Sequence, residues 1–422
     1  MSKNKYRPYP KYKPSGIDWL GDIPEWWELL KVKHLFKISE EASFEANPTI
    51  LSLTQHGIKK RDISNNEGQI ASSYSGYRKI SIGDVVLNIM DLLSGFVDRS
   101  QYNGVISPAY ATLKPTKKIE TKYFNYFFQK HYFEKIFFPF GQGVSVDHRW
   151  TLKDFTLLNF PIIKPTFEEQ EKIAKFLDNK LEKIDQIIEK NNHLVELLHE
   201  KRQAVITRAV TKGLDPRARL KPSGIDWLGD IPENWEVKRL NYLISNIVDK
   251  ATNSQKSDFI VALENIEGWT GNFLLPDDQK MPEGDLKRFS KGDVLFGKLR
   301  PYLAKVFLAE QNGLCVGEAL VFRTKRKLLN KFLAYRILTK DFINYIDSST
   351  QGAKMPRAEW EFIKTLFISY PSSEEQQKII KYIDHKTAKI DEIVKKVKTE
   401  NQKLQEYRQA LISNAVTGKI QV

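Results

Sequence analysis

Three short segments of this 422-residue chain come close to motifs of nucleotide binding or catalysis. The first, GDVLFGKL at Gly292–Leu299, approaches a phosphate-binding loop, in which a Ser or Thr after Gly-Lys holds Mg²⁺. Leu299 stands in that position, and the apolar residues before it suit a buried strand. At the corresponding place in the first half of the chain, Asn88 replaces the Gly-Lys pair. We therefore interpret this segment as a strand and not as a nucleotide site.

The other two segments are incomplete in a similar way. SPAY at Ser107–Tyr110 approaches the N/D-P-P-Y/F motif of amino-methyltransferases, but it lacks the second proline, the acid or amide, and an accompanying glycine-rich cofactor loop. Pro276-Asp277 followed by Asp285–Lys287 imitates a nuclease pattern in which carboxylates hold Mg²⁺, although such residues are common in charged loops. The seven histidines show no metal-ligand spacing. These patterns predict that the chain alone neither methylates nor cuts DNA.

Side chains suited to reading DNA occur in corresponding loops of the two halves. Arg, Lys, Asn and Gln read base edges, while Lys, Arg and backbone amides hold phosphates. The candidates in the first half are Arg78, Lys79, Gln142, Gly143, His148 and Arg149. Those in the second half are Lys298, Arg300, Tyr302, Gln351, Gly352, Lys354 and Arg357. Any one of them would also suit a solvated surface, but the two clusters together favour DNA binding.

The charge balance points to the same class of partner. Lys and Arg outnumber Asp and Glu by 66 to 52, which gives a net charge of +14 and favours a polyanion. The only cysteine, Cys315, excludes an internal disulfide and indicates a reducing compartment. No apolar run is long enough to span a membrane, and the first residues lack the apolar stretch of a signal peptide. We therefore expect a cytoplasmic protein with no membrane partner.

Long identical blocks show that the chain contains a duplicated domain. KPSGIDWLGDIP begins at Lys13 and again at Lys221, and twelve identical residues exclude coincidence. Each half ends on a second repeated block, which begins with EEQ at Glu168 and Glu374. Between these blocks the halves are much less alike, so each half has a constant frame around a variable centre. The variable stretches, 25–165 and 233–371, mix short β-rich runs with an aromatic helical segment and predict α+β domains.

The second repeated blocks predict two long helices. Each begins after a proline, at Pro165 and Pro371, with Ser or Thr as N-cap and Glu in the first turn. Apolar residues then follow in alternating steps of four and three, which is a heptad seam. Its members include Leu177, Ile184, Asn191 and Leu198 in the first helix and Ile383, Ile390, Asn401 and Leu404 in the second. We predict an antiparallel coiled coil with Asn191 opposite Asn401; the alternative is that each helix belongs only to its own domain.

These blocks resemble the specificity subunits of type I restriction-modification enzymes. The resemblance rests on S-G-I-D-W-L-G-x-I-P-x-x-W at the start of each half, E-E-Q-x-K-I at the helix start, and RQA to AVT at the helix end. It covers nearly the whole chain in the order variable domain, long helix, variable domain, long helix. The implied domains are a target recognition domain at 1–166, a spacer helix at 167–212, a second recognition domain at 213–371, a second helix at 372–417 and a tail at 418–422.

The resemblance also implies function and partners. Each recognition domain would read one half of a split site in double-stranded DNA, and the coiled coil would space the two domains. The partners would be two modification subunits, which methylate adenine, and in the full enzyme restriction subunits. S-adenosylmethionine, ATP and Mg²⁺ are implied only for those partners, so no cofactor is expected in this chain. A self-sufficient modification enzyme and a coiled-coil scaffold without nucleic acid remain as alternatives.

Overall fold

The chain divides into two compact units, each with its own hydrophobic core. The computed structural model describes residues 6–45, 47–62, 74–143, 150–251, 259–275, 284–350 and 355–422. Unit 1 comprises Met1–Lys190 and Thr399–Val422, and unit 2 comprises Asn191–Lys398. Unit 1 is therefore built from both ends of the chain, whereas unit 2 is one continuous stretch.

Unit 1 is built around a four-stranded antiparallel sheet with the strand order β4-β11-β8-β9. Its strands are β1 (Tyr12–Pro14), β2 (Asp22–Pro24), β3 (Glu28–Lys31), β4 (Phe36–Ile38), β5 (Leu51–Thr54), β6 (Gly57–Lys60), β7 (Arg78–Ile80), β8 (Val85–Leu87), β9 (Val97–Arg99), β10 (Gly104–Ile106), β11 (Ala111–Pro115) and β12 (Pro161–Lys164). Its helices are α1 (Thr121–Phe133), α2 (Asp154–Asn159) and the first half of α3 (Phe167–Lys212). The aromatic residues of α1 are buried in the core of the unit.

Unit 2 repeats this plan, with a four-stranded sheet in the corresponding order β16-β22-β19-β20. Its strands are β13 (Leu220–Pro222), β14 (Asp230–Pro232), β15 (Glu236–Arg239), β16 (Ile244–Ile247), β17 (Ile260–Val261), β18 (Leu286–Phe289), β19 (Val294–Gly297), β20 (Val306–Leu308), β21 (Gly313–Val316), β22 (Ala319–Thr324) and β23 (Phe367–Tyr370). Its helices are α4 (Leu240–Leu243), α5 (Asn330–Ile337), α6 (Lys340–Ser348), α7 (Trp360–Ile363) and most of α8 (Ser373–Val416). The prediction of two repeated α+β domains is confirmed.

A short antiparallel ladder closes the variable stretch of each unit. In unit 1, β3 pairs with β12, so the start and the end of the variable stretch lie side by side. In unit 2, β15 pairs with β23 in the same way. We call these two ladders the necks. Each neck separates the variable residues from the repeated frame.

The repeated tryptophans explain why the frame is constant. Trp27 and Trp235 are fully buried, and each indole N–H needs an acceptor inside the protein. Trp27 Nε1 donates to Glu169 Oε1 at 3.3 Å, and Trp235 Nε1 donates to Glu375 Oε1 at 3.0 Å. The second Glu of each EEQ block therefore fixes the start of a long helix to the repeated block.

The Gln of each EEQ block connects the same long helix to the variable stretch of its unit. The buried Gln170 side chain donates to Pro165 O at 2.8 Å and accepts from Glu120 N at 2.9 Å. Gln376 makes the equivalent bonds to Pro371 O and from Leu329 N, at 2.9 and 2.8 Å. Because buried polar groups need partners, these bonds fix the register between helix and domain.

The tryptophan of each SGIDW block covers a buried cation. The Lys130 ammonium lies 5.2 Å from the centre of the Trp19 ring, and the Arg336 guanidinium lies 5.1 Å from that of Trp227. Both cations are buried, and burial lowers the pKa of the Arg336 guanidinium to about 10. The cation–π interaction with each indole ring replaces part of the stabilisation that the cation would receive from water.

A buried histidine makes the stability of unit 1 depend on pH. His131 lies in an aromatic cluster, and burial lowers its pKa to about 3 although its Nδ1 contacts Phe127 O at 2.6 Å. The unfolded chain takes up a proton at His131 below its usual pKa of about 6.5, while the folded chain stays neutral. Stability is therefore complete above about pH 6.5 and falls as the pH drops toward 3, by roughly 1.4 kcal/mol per pH unit.

We expect the full chain to lose about 2 kcal/mol more stability between pH 7.5 and 5 than His131→Leu, which lacks this proton site. The difference is measured by unfolding the full chain in urea at both pH values, with hydrogen exchange of the α1 amides as the signal for unit 1. Equal losses in the two proteins would show that His131 is not held neutral.

The long helices pack antiparallel within unit 1. Arg408 Nε lies 3.2 Å from Asp185 Oδ1. Ten residues further along the chain, just after the end of α8, Gly418 lies against Trp27, whose indole donates to Glu169 near the start of α3. Residue numbers therefore increase along one helix where they decrease along the other, which is the antiparallel arrangement.

The same direction holds within unit 2. Arg202 Nε lies 3.2 Å from Asp391 Oδ1, while a Cβ on Gly213 would lie 3.3 Å from Glu375 Oε1. The two-helix layout agrees with the predicted coiled coil.

The seam residues differ in how deeply they are buried. Those that are buried are Leu177, Ile184, Ile383 and Ile390, and those that are half-buried are Asn191, Leu198, Asn401 and Leu404. The pairing of Asn191 with Asn401 and the domain boundaries given above stay predictions.

Candidate nucleic-acid interface

Four candidate residues of unit 2 come together at the end of β19. They are Lys298, Arg300, Tyr302 and Arg357. The backbone N–H of Ala358 donates to Lys298 O at 2.8 Å, and that of Arg300 donates to Pro356 O at 2.8 Å. The segment after β19 therefore lies beside the segment before α7, although about 50 residues separate them in sequence. We call residues 298–304 with 355–358 the unit 2 reader.

A glutamate organises the charges of the unit 2 reader. Glu318 Oε1 lies 3.0 Å from Arg357 Nη2, and Glu318 O accepts from Lys298 N at 2.9 Å. This pairing holds one side of the Arg357 guanidinium, and the Arg357 side chain is 51% exposed, so donors remain for a ligand. The reader carries net positive charge with a fixed donor geometry.

The backbone of the unit 2 reader is strained. Arg300 and Ala304 have φ angles of 49° and 48°, in the left-handed region, on either side of a 3₁₀ turn at Pro301–Leu303. Such a conformation costs a residue with a side chain roughly 1–2 kcal/mol. Pro301 and Ala304 are buried and anchor the turn, so Tyr302 between them is held outward. Strain of this kind is concentrated at binding sites.

A corresponding loop in unit 1 contains Gln142. Gln142 exchanges backbone hydrogen bonds with Thr151 at 2.8 and 3.0 Å. Trp150 O accepts from Leu92 N at 3.1 Å, so this loop lies beside the segment after β8. Only glycine fits at position 141, because a Cβ there would lie 2.3 Å from Trp150 Nε1. Gly143 follows as an exposed residue, and we call residues 88–94 with 141–143 and 150–152 the unit 1 reader.

Arg78 and Lys79 lie on β7, where each is occupied by contacts within its surroundings. Arg78 Nη1 donates to Tyr110 O at 2.8 Å, and Lys79 Nζ lies 3.5 Å from Glu41 Oε1. Lys114 and Lys79 lower the pKa of the Glu41 carboxyl, chiefly through the hydrogen bond from Lys114. The predicted DNA surface of unit 1 is therefore distributed over two elements.

Five of the candidate residues lie outside the described residues. They are His148, Arg149, Gln351, Gly352 and Lys354.

Sequence reasoning missed the apolar members of the readers. Met90 and Leu93 are exposed in the unit 1 reader, as are Leu303 and Met355 in the unit 2 reader. A sequence pattern places apolar residues that follow a buried strand in the core. The exposure of these four side chains was therefore not predicted. The available signal was a local turn sequence, since Asn88 and Asp91 are residues that favour turns.

The near-motifs have structural roles where they are described. GDVLFGKL includes β19, whose backbone amides pair with neighbouring strands on both sides and so do not cradle a phosphate. In SPAY, Tyr110 N donates to Ser107 O in a turn before β11. Lys287 of the nuclease-like pattern donates to Ala319 O at 2.6 Å, while Pro276 and Asp277 lie outside the described residues.

Metal clusters and membrane-spanning helices are both absent from the described residues. No group of three or more His, Cys, Asp or Glu residues there has the geometry to hold a metal ion. None of the helices in the same residues is both long and apolar enough to cross a bilayer.

Comparison with known proteins gives consistent results. Residues 232–403 match the family described as type I restriction modification DNA specificity domain. The chain is 22% identical over 302 residues to the type I restriction enzyme EcoDI specificity subunit of Escherichia coli, a match over 66% of each protein. It is 23% identical over 433 residues to the putative type I restriction enzyme MjaX specificity subunit of Methanocaldococcus jannaschii, a match over 96% of each.

A solved structure supports the fold. The chain superposes with a TM-score of 0.67 and 14% identity on a chain from a study of complex assembly and conformational transition of the type I R-M system. The match covers 93% of this chain and 98% of the other.

Proposed function

We propose that the chain is a specificity subunit of a type I restriction-modification system and that it reads a split target in double-stranded DNA with its two readers. Each unit reads one half-site, and the chain positions the modification and restriction subunits there. It supplies recognition and leaves catalysis to those partners.

One observation carries this proposal. Both readers follow the equivalent central strands, β8 and β19, and both are fixed by equivalent backbone bonds, from Leu152 N to Ile89 O and from Ala358 N to Lys298 O. The two loops nevertheless differ in sequence. A constant frame that holds two different polar loops in one geometry suits recognition of two different short sequences.

The partners follow from the same repetition. Because the frame around Trp27 and Glu169 recurs around Trp235 and Glu375, we propose that two copies of the same modification subunit bind, one to each repeat. S-adenosylmethionine is then held by the modification subunits, and ATP and Mg²⁺ by the restriction subunits. The complex acts in the cytoplasm.

The central experiment is selection of bound sites from a random DNA library by the chain reconstituted with its modification subunits. We expect two short specific blocks separated by a gap of fixed length and unspecified sequence. A single continuous block, or no enriched sequence, would contradict two-part recognition.

Two further measurements separate the alternatives. A scaffold without nucleic acid would show no salt-dependent binding, whereas neutralised phosphates make affinity fall steeply with salt. A self-sufficient enzyme would transfer labelled methyl groups to DNA without partner subunits, and we expect no such transfer.

A further inference from the structure

The two readers share an unusual exposure of apolar side chains. In unit 2, Tyr302 and Leu303 are 44% and 38% exposed. In unit 1, Met90 and Leu93 are 40% and 47% exposed. All four lie in the segment that directly follows the central strand β8 or β19. Single exposed apolar residues are ordinary, but two in the equivalent segment of each of two diverged repeats call for a common cause.

Each reader holds its apolar tip by a different device. In unit 2 the left-handed residues Arg300 and Ala304 flank the turn that carries Tyr302 and Leu303. Unit 1 uses side-chain acceptors instead.

There, Asn88 Oδ1 accepts from Met90 N at 3.1 Å, and Asp91 Oδ1 accepts from Leu93 N at 2.9 Å. Because different local chemistry exposes an apolar pair in the equivalent segment, the exposure is a property of the readers and not of one loop sequence.

The surroundings of these tips indicate what they contact. In unit 2 they lie among Lys298, Arg300 and Arg357, which suit phosphates and base edges. In unit 1 the loop beside their segment carries Gln142, whose amide suits a base edge. Even with Met355, the exposed apolar side chains among the described residues of each reader are too few for a stable protein interface, which buries about 800 Å² on each partner. Within the major groove, the one apolar group on a base edge is the 5-methyl group of thymine.

We propose that Tyr302 and Leu303 in unit 2, and Met90 and Leu93 in unit 1, contact thymine 5-methyl groups in the two half-sites. This inference rests on the proposed function and names the chemical group that these residues read. The polar residues of each reader then orient the loop, while the apolar tip separates T·A from C·G at the contacted position.

The test replaces thymine by uracil, which removes the methyl group and leaves base pairing intact. The full chain, reconstituted with its modification subunits, is titrated with its selected target carrying one uracil at a time. We expect at least one uracil in each half-site to weaken binding about fourfold, the effect of removing one buried methyl-sized group.

Variants then assign each methyl group to its reader. Leu303→Ala should abolish the uracil penalty in one half-site, and Leu93→Ala should abolish it in the other, so each variant is the control for its counterpart. Leu220→Ala removes a leucine that is also exposed but lies on the frame strand β13, and it should leave both penalties unchanged.

The possible failures are distinguishable. If the complex binds its target with steep salt dependence but tolerates uracil at every position, the thymine inference is wrong and the proposed function stands. If the variants weaken binding to thymine and uracil DNA equally, these residues act without reading the methyl group, and the inference is again wrong. If the complex has no sequence preference, the proposed function itself fails.

Discussion

Exchanging residues 240–366 for the matching stretch of a relative with another target should change one half of the DNA site and leave the other half intact. The necks define these limits, because the exchange begins after β15 and ends before β23 and so leaves their ladder in place. It also keeps Trp235 with its acceptor Glu375, which holds the frame. Binding to the original target should fall more than a hundredfold, since each mismatched base pair costs about 1–3 kcal/mol.

The reciprocal exchange is the control for this result. Replacing residues 32–160, between β3 and β12, should change only the other half-site. Site selection with each chimera, reconstituted with the same modification subunits, measures both outcomes. If one exchange altered both half-sites, the two units would not read DNA independently.

Replacing Arg202 with alanine should destabilise unit 2 by about 3–5 kcal/mol, whereas the equivalent Arg408→Ala should cost unit 1 no more than about 1 kcal/mol. The side chain of Arg202 is only 5% exposed, and it contacts Asp391 and donates to Trp269 O and Thr270 O, all at 3.2 Å. Removing the Arg202 guanidinium leaves the Asp391 carboxylate and the two carbonyl oxygens without this donor. The side chain of Arg408 is 31% exposed and lies 3.2 Å from Asp185, so water replaces much of what is lost.

Hydrogen exchange separates the two effects because it reports on each unit of the full chain. Faster exchange in β19 and β22 of Arg202→Ala, with unchanged exchange in β8 and β11, is the expected pattern. Arg202→Lys should recover only part of the stability, since an ammonium cannot reproduce the guanidinium fork. Equal destabilisation of both units by the two alanine variants would contradict the role of burial.

Local sequence patterns were sufficient where structure follows from neighbouring residues. The proline and N-cap pattern after Pro165 predicted a helix, and α3 begins at Phe167. The apolar run before Leu299 predicted a buried strand, and β19 lies there. The exact repeats predicted a duplicated frame, and both units have the same sheet order.

The readers depend on contacts that local patterns do not contain. The left-handed conformation of Arg300 and Ala304 arises because a buried anchor on each side fixes the turn, and neither residue type favours it. The loop that carries Gln142 is positioned by the hydrogen bond from Leu92 N to Trp150 O, and Leu92 lies some 50 residues before Gln142 in sequence. Residues at that separation leave no periodic signal.

Unit 1 joins the two ends of the chain, and this has a consequence for the order of events during synthesis. Tyr12 and Tyr123 donate to Gly418 O and Val416 O, both at 2.9 Å, and Lys419 donates to Asp22 O at 2.7 Å. Residues of unit 1 that leave the ribosome early must therefore wait for partners that follow some 300 to 400 residues later. All residues of unit 2 lie between 191 and 398, so unit 2 can fold before the last residues of unit 1 have been synthesised. At about 5–20 residues per second the wait lasts tens of seconds, so the unit whose synthesis starts first is completed last.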